Sequence, residues 1–119
     1  MEFEILFYDK TDGTEPAKEF ILSLEPKMRA KVLRTVELLR INGTDLREPY
    51  SKMLGDGIYE LRIKVGSNIS RLLYFFVIGR RIILTNGFIK KTNKTPSGEI
   101  DKAKKYRSEY LSRGRNKHD

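Results

Sequence analysis

Arginines and lysines alternate with apolar residues in the second half of the chain, and this pattern suggests the chemistry that the sequence could perform. Residues 58–65 read IYELRIKV, so Glu60 and Arg62 share one face of the strand that this alternation predicts. The next apolar segment begins with Arg71, and residues 86–96 read NGFIKKTNKTP, with lysines at three of five adjacent positions. Preorganised cations of this kind can hold a phosphodiester and stabilise the charge that develops when it is attacked.

RNA cleavage is a reaction that such cations could promote without further machinery. RNA carries its own nucleophile, the 2′-hydroxyl, so an enzyme needs only to orient this group, remove its proton, stabilise the phosphoryl charge and protonate the leaving 5′-oxygen. The chain has no cysteine, and its one histidine is His118. It contains no carboxylate pair at metal-ligand spacing, no glycine-rich phosphate loop and no GxSxG motif. The sequence therefore predicts no metal site and no cofactor.

The composition indicates one small domain with one-sided positive charge. The chain has 119 residues and a formal net charge of +8. Residues 1–79 hold 12 Lys and Arg and 12 Asp and Glu, whereas residues 80–119 hold 12 Lys and Arg and 4 Asp and Glu. All the excess charge is therefore C-terminal, which favours salt-sensitive binding to a polyanion. For the residues after Ser112, a merely solvated tail is the simpler interpretation.

Three features favour a cytoplasmic protein without a membrane partner. The absence of cysteine fits a reducing compartment. The longest apolar run, residues 72–78, is far shorter than the roughly 20 residues of a membrane-spanning helix. The first ten residues, MEFEILFYDK, carry acidic side chains where a signal peptide carries basic ones.

The spacing of apolar residues predicts an α+β fold. Residues 2–8 alternate as a strand, and two helices follow, the first capped by Asp12 or Thr14 and the second running from Pro26 to Asn42–Gly43. Strands over 58–65, 71–78 and 81–88 and a helix from Thr95–Pro96 to about residue 112 complete the chain. The predicted order is β-α-α-β-β-β-α, an antiparallel sheet with a two-helix layer on one face and a C-terminal helix. Residues 1–112 form the domain, and residues 113–119 a basic tail that we expect to be disordered.

Turn lengths predict which side chains face each other across the strands. A Gly79–Arg80 turn pairs Ile78 with Arg81, Phe75 with Leu84 and Arg71 with Phe88; a four-residue loop over 66–69 pairs Lys64 with Arg71 and Arg62 with Leu73. These registers predict a basic, partly apolar groove that contains Glu60, Arg62, Lys64 and Arg71, with Phe88 beside them and Lys90 just past the strand end. The two-helix layer covers the opposite face.

The general base stays open at this point. Glu60 is one candidate, and a lysine whose pKa is lowered by a cationic neighbour, such as Lys90 beside Lys91, is another. Tyr59 and Tyr74 fall on the core face by the same alternation. Each charged residue taken alone fits an ordinary surface ion pair, and only the convergence of the set favours a function.

Three sequence blocks in this order resemble the phage-derived HigB-like branch of the RelE/ParE toxin superfamily. They are K-x-L-x-x-G-x-Y-E-L-R over 52–62, R-L-L-Y-F-F over 71–76 and G-F-I-K-K-T-N-K-T-P over 87–96. The resemblance implies the toxin of a type II toxin–antitoxin system, an mRNA endoribonuclease (an mRNA interferase) that acts on ribosome-bound messages. Its implied partner, besides mRNA and the ribosome, is a HigA-like helix-turn-helix antitoxin.

The resemblance also implies roles for individual residues. Arg62 and Arg71 correspond to the cations that hold the scissile phosphate; Glu60, a candidate base from its position in the strand, completes the predicted catalytic set. Lys90 and Lys91 correspond to strand-end residues that act as proton donor or phosphate clamp. The predicted RNA contacts are Lys52, Lys64, Phe88 and Lys94, although Phe88 could equally pack in the core. Several relatives carry His or Tyr at the end of the last strand, where this chain has residues 88–91, so the acid and base are not identified.

Two other functions are compatible with the same sequence. ParE-like relatives share the fold but inhibit DNA gyrase without catalysis, because a fold does not determine an activity. A basic RNA-binding or ribosome-binding module would use the C-terminal charge for docking alone. The set formed by Glu60, Arg62, Arg71 and Lys90 favours the nuclease over the ParE-like toxin, whereas the binding module stays an open alternative.

Overall fold

The computed structural model describes residues 2–90 and 94–117, which form a five-stranded mixed sheet with three α-helices. The elements are β1 (Glu4–Phe7), α1 (Pro16–Ser23), α2 (Pro26–Asn42), a 3-10 turn (Gly43–Asp45), β2 (Ser51–Gly55), β3 (Ile58–Val65), β4 (Asn68–Val77), β5 (Arg81–Ile89) and α3 (Ser97–Lys117). The strand order is β1-β5-β4-β3-β2. The predicted α+β class is confirmed.

Both edges of the sheet differ from the prediction. β1 pairs with β5 in parallel, so the sheet is mixed and not purely antiparallel. β2 is a fifth strand that the alternation did not indicate, because it is short, interrupted by a bulge and ends at a glycine with a φ of 111°. The partner of β1 is distant in sequence, as in the hydrogen bond from the Glu4 amide to the Arg80 carbonyl at 2.7 Å, whereas β2 forms a local hairpin with β3.

Helices α1 and α2 cover one face of the sheet, which we call the α1–α2 face. Each helix has a proline in its first turn, and α2 ends before Gly43, where a φ of 52° and the Phe3 ring leave no room for a side chain. These boundaries agree with the prediction, but the predicted cap of α1 is wrong. The Asp12 carboxylate instead accepts hydrogen bonds from the amide and hydroxyl of Thr14, at 2.9 and 2.8 Å.

Helix α3 packs on the opposite face, which we call the α3 face. Ala103 and Tyr106 are buried there against apolar side chains of β3, β4 and β5. Tyr8, just after β1, stacks on Tyr106 with ring centroids 4.5 Å apart. The helix ends at Lys117, later than predicted. Within the described part of the chain, no helix has the length and apolar character that crossing a membrane requires.

The turn between β3 and β4 contains two residues, not the predicted four. Val65 pairs with Asn68 and Arg62 pairs with Arg71, so the predicted pairs of Lys64 with Arg71 and of Arg62 with Leu73 are wrong. Gly66, with a φ of 62°, provides the positive φ that the tight turn needs. Because the register is shifted by two residues, every side chain stays on its predicted face.

The turn between β4 and β5 contains three residues, and a bulge corrects the resulting slip. Near the turn Val77 pairs with Arg81 and Phe75 with Ile83, so the predicted pairs of Ile78 with Arg81 and of Phe75 with Leu84 are wrong by one residue. One extra residue, Thr85, then enters β5, and its hydroxyl donates a hydrogen bond to the Leu73 carbonyl at 3.0 Å. Beyond this bulge Arg71 pairs with Phe88 as predicted.

Candidate functional site

Three charged residues on the α3 face form a compact group, which we call the buried charge cluster: Glu60, Arg62 and Arg71. Arg62 of β3 lies directly opposite Arg71 of β4, and Glu60 lies two residues before Arg62 on the same face. One carboxylate oxygen of Glu60, Oε1, is 3.2 Å from Arg62 Nε, and the other, Oε2, is 3.6 Å from Arg71 Nη1. One carboxylate therefore bridges two guanidinium groups on neighbouring strands.

Burial makes this bridge necessary. The side chains of Glu60 and Arg71 are fully buried, and the side chain of Arg62 is 20% exposed. Two cations directly opposite each other on adjacent strands repel, and an unpaired charge in a dry site is strongly unfavourable. Burial lowers the pKa of Arg71 below its ordinary value, while the Glu60 carboxylate raises it. The guanidinium nevertheless stays protonated, so the cluster carries a net positive charge.

Thr95, just before α3, closes the cluster. Its hydroxyl donates a hydrogen bond to Glu60 Oε2 and accepts one from Arg71 Nη1 at 3.4 Å. Thr95 is itself buried, so the segment that leads into α3 lies over the inner part of the cluster. From the sequence, Thr95 was predicted only to begin the C-terminal helix. A threonine before proline gives a helix-start signal, and nothing in the local sequence indicates that its hydroxyl reaches two strands.

The other predicted site residues are distributed around the cluster. Lys52 pairs with Glu60 from β2 and is exposed, and Phe88 pairs with Arg71 from β5 and is half-buried. Lys64 is exposed on β3. Lys90 follows β5, where its amide donates to the Ile69 carbonyl at 3.0 Å, and Lys94 is exposed ahead of α3. Lys91 lies outside the described residues.

The predicted groove needs one correction. Glu60 and Arg71 were expected to line it, but both side chains are inaccessible to solvent, whereas Arg62 is partly accessible. The reason is the return of the chain through Thr95 to α3, a contact across 35 residues that strand alternation cannot indicate. Tyr59 and Tyr74 lie on the α1–α2 face and stack with centroids 5.5 Å apart, as the alternation predicted.

A cavity of about 300 Å³ adjoins the exposed side of the cluster. Arg62, Lys64 and Ile69 line it from the sheet, and Tyr50 lines it from the segment before β2. Over the described ranges, His, Cys, Asp and Glu side chains do not gather in groups of three that could hold a metal ion. The donors that face this cavity from the sheet are cations, so its chemistry suits an anionic ligand.

A comparison with models of known protein families identifies the family of this chain. The family model described as Phage derived protein Gp49-like (DUF891) matches residues 19–108, about three quarters of the sequence. The chain belongs to the Gp49-like family. A search of curated proteins gives no match for this sequence.

The Gp49-like family is a phage-derived, toxin-like module within the RelE/HigB-like toxin superfamily. Membership of the toxin superfamily, which the three sequence blocks implied, is thereby confirmed, and the HigB-like branch stays a prediction. The match runs from α1 through most of α3, so it contains all three members of the buried charge cluster together with Thr95. The cluster is thus part of the region that defines family membership.

Proposed function

We propose that this Gp49-like protein is the toxin of a type II toxin–antitoxin pair, of the HigB-like branch, and that it is a metal-independent endoribonuclease acting on mRNA. The observation that supports this most is the direct pairing of Arg62 with Arg71 across β3 and β4, with Glu60 bridging them. The partly exposed Arg62 is held in place to bind an anion, and the buried Arg71 opposite it adds positive charge from beneath. Three exposed lysines extend the positive charge around it: Lys52 on β2, Lys64 on β3 and Lys94 ahead of α3.

The reaction proceeds by attack of the RNA on its own backbone. The 2′-oxygen forms a bond to the adjacent phosphorus and the bond from phosphorus to the 5′-oxygen breaks, which leaves a 2′,3′-cyclic phosphate and a 5′-hydroxyl. One proton leaves the 2′-hydroxyl and another is delivered to the departing 5′-oxygen. Arg62 contacts the phosphoryl oxygens and stabilises their growing negative charge. No oxidant, reductant or metal is needed to balance this step.

The structure supports different roles for the other members of the cluster. Both oxygens of Glu60 are engaged by cations and the Thr95 hydroxyl, so Glu60 acts as a positioning residue that aims Arg62. Lys90, at the end of β5, is the described residue best placed to exchange protons, and Lys91 is proposed for the same strand end from the sequence alone. Arg71 is fully buried, so it acts on the phosphate through its charge unless the segment at Thr95 moves.

The surrounding residues hold the substrate in this proposal. Lys52, Lys64 and Lys94 are exposed cations that contact the RNA backbone, and Phe88, beside Arg71, stacks on a base. The ribosome is proposed as the place of cleavage, because the C-terminal excess of positive charge favours docking to a large polyanion. A helix-turn-helix antitoxin is the proposed protein partner.

An in vitro translation reaction with primer extension tests the proposal. Wild-type protein should produce discrete cuts in the message, and Arg62→Gln should lower the cleavage rate by about a hundredfold, the typical effect of losing one preorganised donor at a developing oxyanion. Arg62 is the better choice than Arg71 because its side chain is partly exposed. Lys18→Gln, which removes one charge from α1 on the far face of the sheet, should cut like wild type.

A non-catalytic RNA or ribosome binder is the second candidate, and one observation favours it. Glu60 and Arg71 are both fully buried, and a buried guanidinium cannot touch a phosphate in the described conformation. The same reaction separates the candidates: translation that stops while the message stays intact identifies a binder. Growth arrest in cells with uncut message and inhibited DNA gyrase would instead identify the ParE-like activity.

A further inference from the structure

Three cavities adjoin one another along α2 and the outer edge of β3, on the side of Arg62 that leads away from the buried charge cluster. Their volumes are about 300, 360 and 450 Å³, all three are lined by Lys31, and each pair shares at least one further residue. We call this continuous feature the α2 groove, and the residues that matter for its chemistry are Lys27, Lys31, Arg34, Tyr50, Arg62 and Lys64.

The α2 groove is strongly cationic. Lys27, Lys31 and Arg34 follow the i, i+4, i+7 spacing and form one exposed stripe along α2. Among the described residues that line the three cavities, the only acidic one is Glu37, and its carboxylate accepts a hydrogen bond from Arg40 Nε at 3.0 Å. A stripe of cations whose one acidic neighbour is already engaged is complementary to a polyanion and not to a mixed-charge protein surface.

An aromatic ring lies in the same groove. Tyr50 is 44% exposed and lines two of the three cavities. Its backbone carbonyl accepts a hydrogen bond from the Arg62 amide at 2.8 Å, so the backbone of Tyr50 is held beside the strand that carries Arg62. A partly exposed aromatic side chain between cations is the arrangement on which single-stranded nucleic acids stack their bases.

The groove is continuous with the candidate active site around the edge of the sheet. β2 pairs with β3 only as far as Leu61, so the edge of β3 is uncovered by a strand from residue 62 onward. The cavity at this edge is lined by Lys31 and Thr35 from α2 and by Arg62 and Lys64 from β3. Lys31 also crosses the gap directly, donating a hydrogen bond to the Lys64 carbonyl at 2.6 Å. A single-stranded nucleic acid bound at Arg62 can therefore continue along α2.

We propose that the α2 groove binds single-stranded RNA that continues from the phosphate held at Arg62, with Tyr50 stacked on a base and the α2 cations on successive phosphates. This assignment rests on the proposed function, since it extends the substrate of that same site. The stripe from Lys27 to Arg34 is about 10 Å long at the helical rise, which is room for a few nucleotides.

Tyr50 provides the sharpest test. The probe is a fluorescent single-stranded oligoribonucleotide, a dodecamer with 2′-O-methyl groups that prevent self-cleavage, and binding is followed by fluorescence anisotropy. Tyr50→Ala should weaken binding about tenfold, the lower range for one lost base stack, while Tyr50→Phe, which keeps the ring, should stay within about twofold of wild type. A trinucleotide probe should show a smaller difference because it does not span the groove.

The α2 cations provide an independent test with a matched control. The triple variant K27Q/K31Q/R34Q should flatten the dependence of log affinity on log salt by about 2, since each phosphate contact on a single strand contributes roughly 0.7. The control K10Q/K18Q/R29Q removes three cations that line none of the three cavities and lie outside the basic C-terminal segment, so it should leave the slope unchanged. Thermal melting of all variants verifies that they are folded.

The outcomes separate this inference from the proposed nuclease. Wild-type protein that binds the dodecamer through Tyr50 and α2 but leaves messages intact contradicts the nuclease and retains the groove. Cleavage by wild type, with unchanged affinity and salt slope in both groove variants, overturns the groove and retains the nuclease. Competition by poly-L-glutamate as strong as competition by RNA would also overturn it, because the groove would then be a general polyanion surface without base stacking.

Discussion

Replacing Glu60 by Gln removes the negative charge that holds Arg62 and Arg71 together while keeping nearly the same shape. The carboxylate is fully buried and bridges both guanidinium groups, so the variant leaves two cations opposite each other on adjacent strands. The glutamine amide can accept from only one of them and presents hydrogens to the other. We expect a folded but strongly destabilised protein.

The size of this effect follows from the geometry. At the 3.6 Å separation of Glu60 from Arg71, and with an effective dielectric constant of about 20, the Coulomb attraction is roughly 4–5 kcal/mol. Glutamine recovers part of it through its dipole, while the repulsion between the cations is added. Removing one partner of a buried pair typically costs about 3–5 kcal/mol, and we expect this loss for Glu60→Gln. That is a large fraction of the roughly 5–15 kcal/mol that stabilises a domain.

Denaturant unfolding measures the change, with the exposed Glu37→Gln as the matched control. Glu37 also pairs with an arginine but lies at the surface, so its loss should have little effect. The double variant E60L/R71M, which replaces the buried pair by apolar side chains, should be more stable than E60Q alone. A loss below about 1 kcal/mol for E60Q would refute the buried bridge. So would a loss in E60L/R71M equal to the sum of the losses in the single variants E60L and R71M.

Three further predictions concern the same framework. Thr95→Val removes the hydroxyl that closes the buried charge cluster and should lower the free energy of unfolding by about 1–3 kcal/mol, whereas Thr95→Ser should lose less. Burial raises the pKa of Tyr74 to about 12 from its ordinary value of 10.0, so the folded protein holds this proton more tightly than the unfolded chain does. The contribution of Tyr74 to stability should therefore be full below pH 10 and should be lost as the pH rises towards 12. Unfolding measured at alkaline pH should show this loss, and the loss should be less steep in Tyr74→Phe. Gly87→Ala would place its Cβ 2.4 Å from the Phe20 ring and should cost about 1–3 kcal/mol by thermal melting, while Gly98→Ala, in open space, should cost nothing.

Alternation predicted the faces of the sheet more reliably than the turns predicted its register. Both hairpin loops were misjudged, yet Arg62 and Arg71 lie on the predicted face, because the first error was two residues and the bulge at Thr85 cancels the second. Period-two patterning is a local property of a strand, whereas loop length and bulges depend on the partner strand. The same limit explains why β2 and the parallel pairing of β1 were not predicted.

The sequence predicted which residues of the candidate site share one face of the sheet, but it did not predict how deeply they are buried. The sequence brought Glu60, Arg62, Arg71 and Phe88 to one face, and they lie there. Their burial was missed because it depends on Thr95, which reaches the cluster from the segment after β5. The α2 groove was not predicted for a similar reason. The apolar stripe of α2 indicates only which side of the helix packs on the sheet, and the opposite wall of the groove is the edge of a strand far along the chain.

The central claim is that cations around Arg62 hold an RNA phosphodiester while its own 2′-hydroxyl attacks. The most direct measurement compares two ribosome-bound messages that differ only by a single 2′-deoxy substitution at the mapped cleavage nucleotide. We predict that the all-ribose message is cut to a 2′,3′-cyclic phosphate end and that the deoxy message stays intact at that position. Equal cutting of both messages, or a product without the cyclic phosphate, would contradict the mechanism.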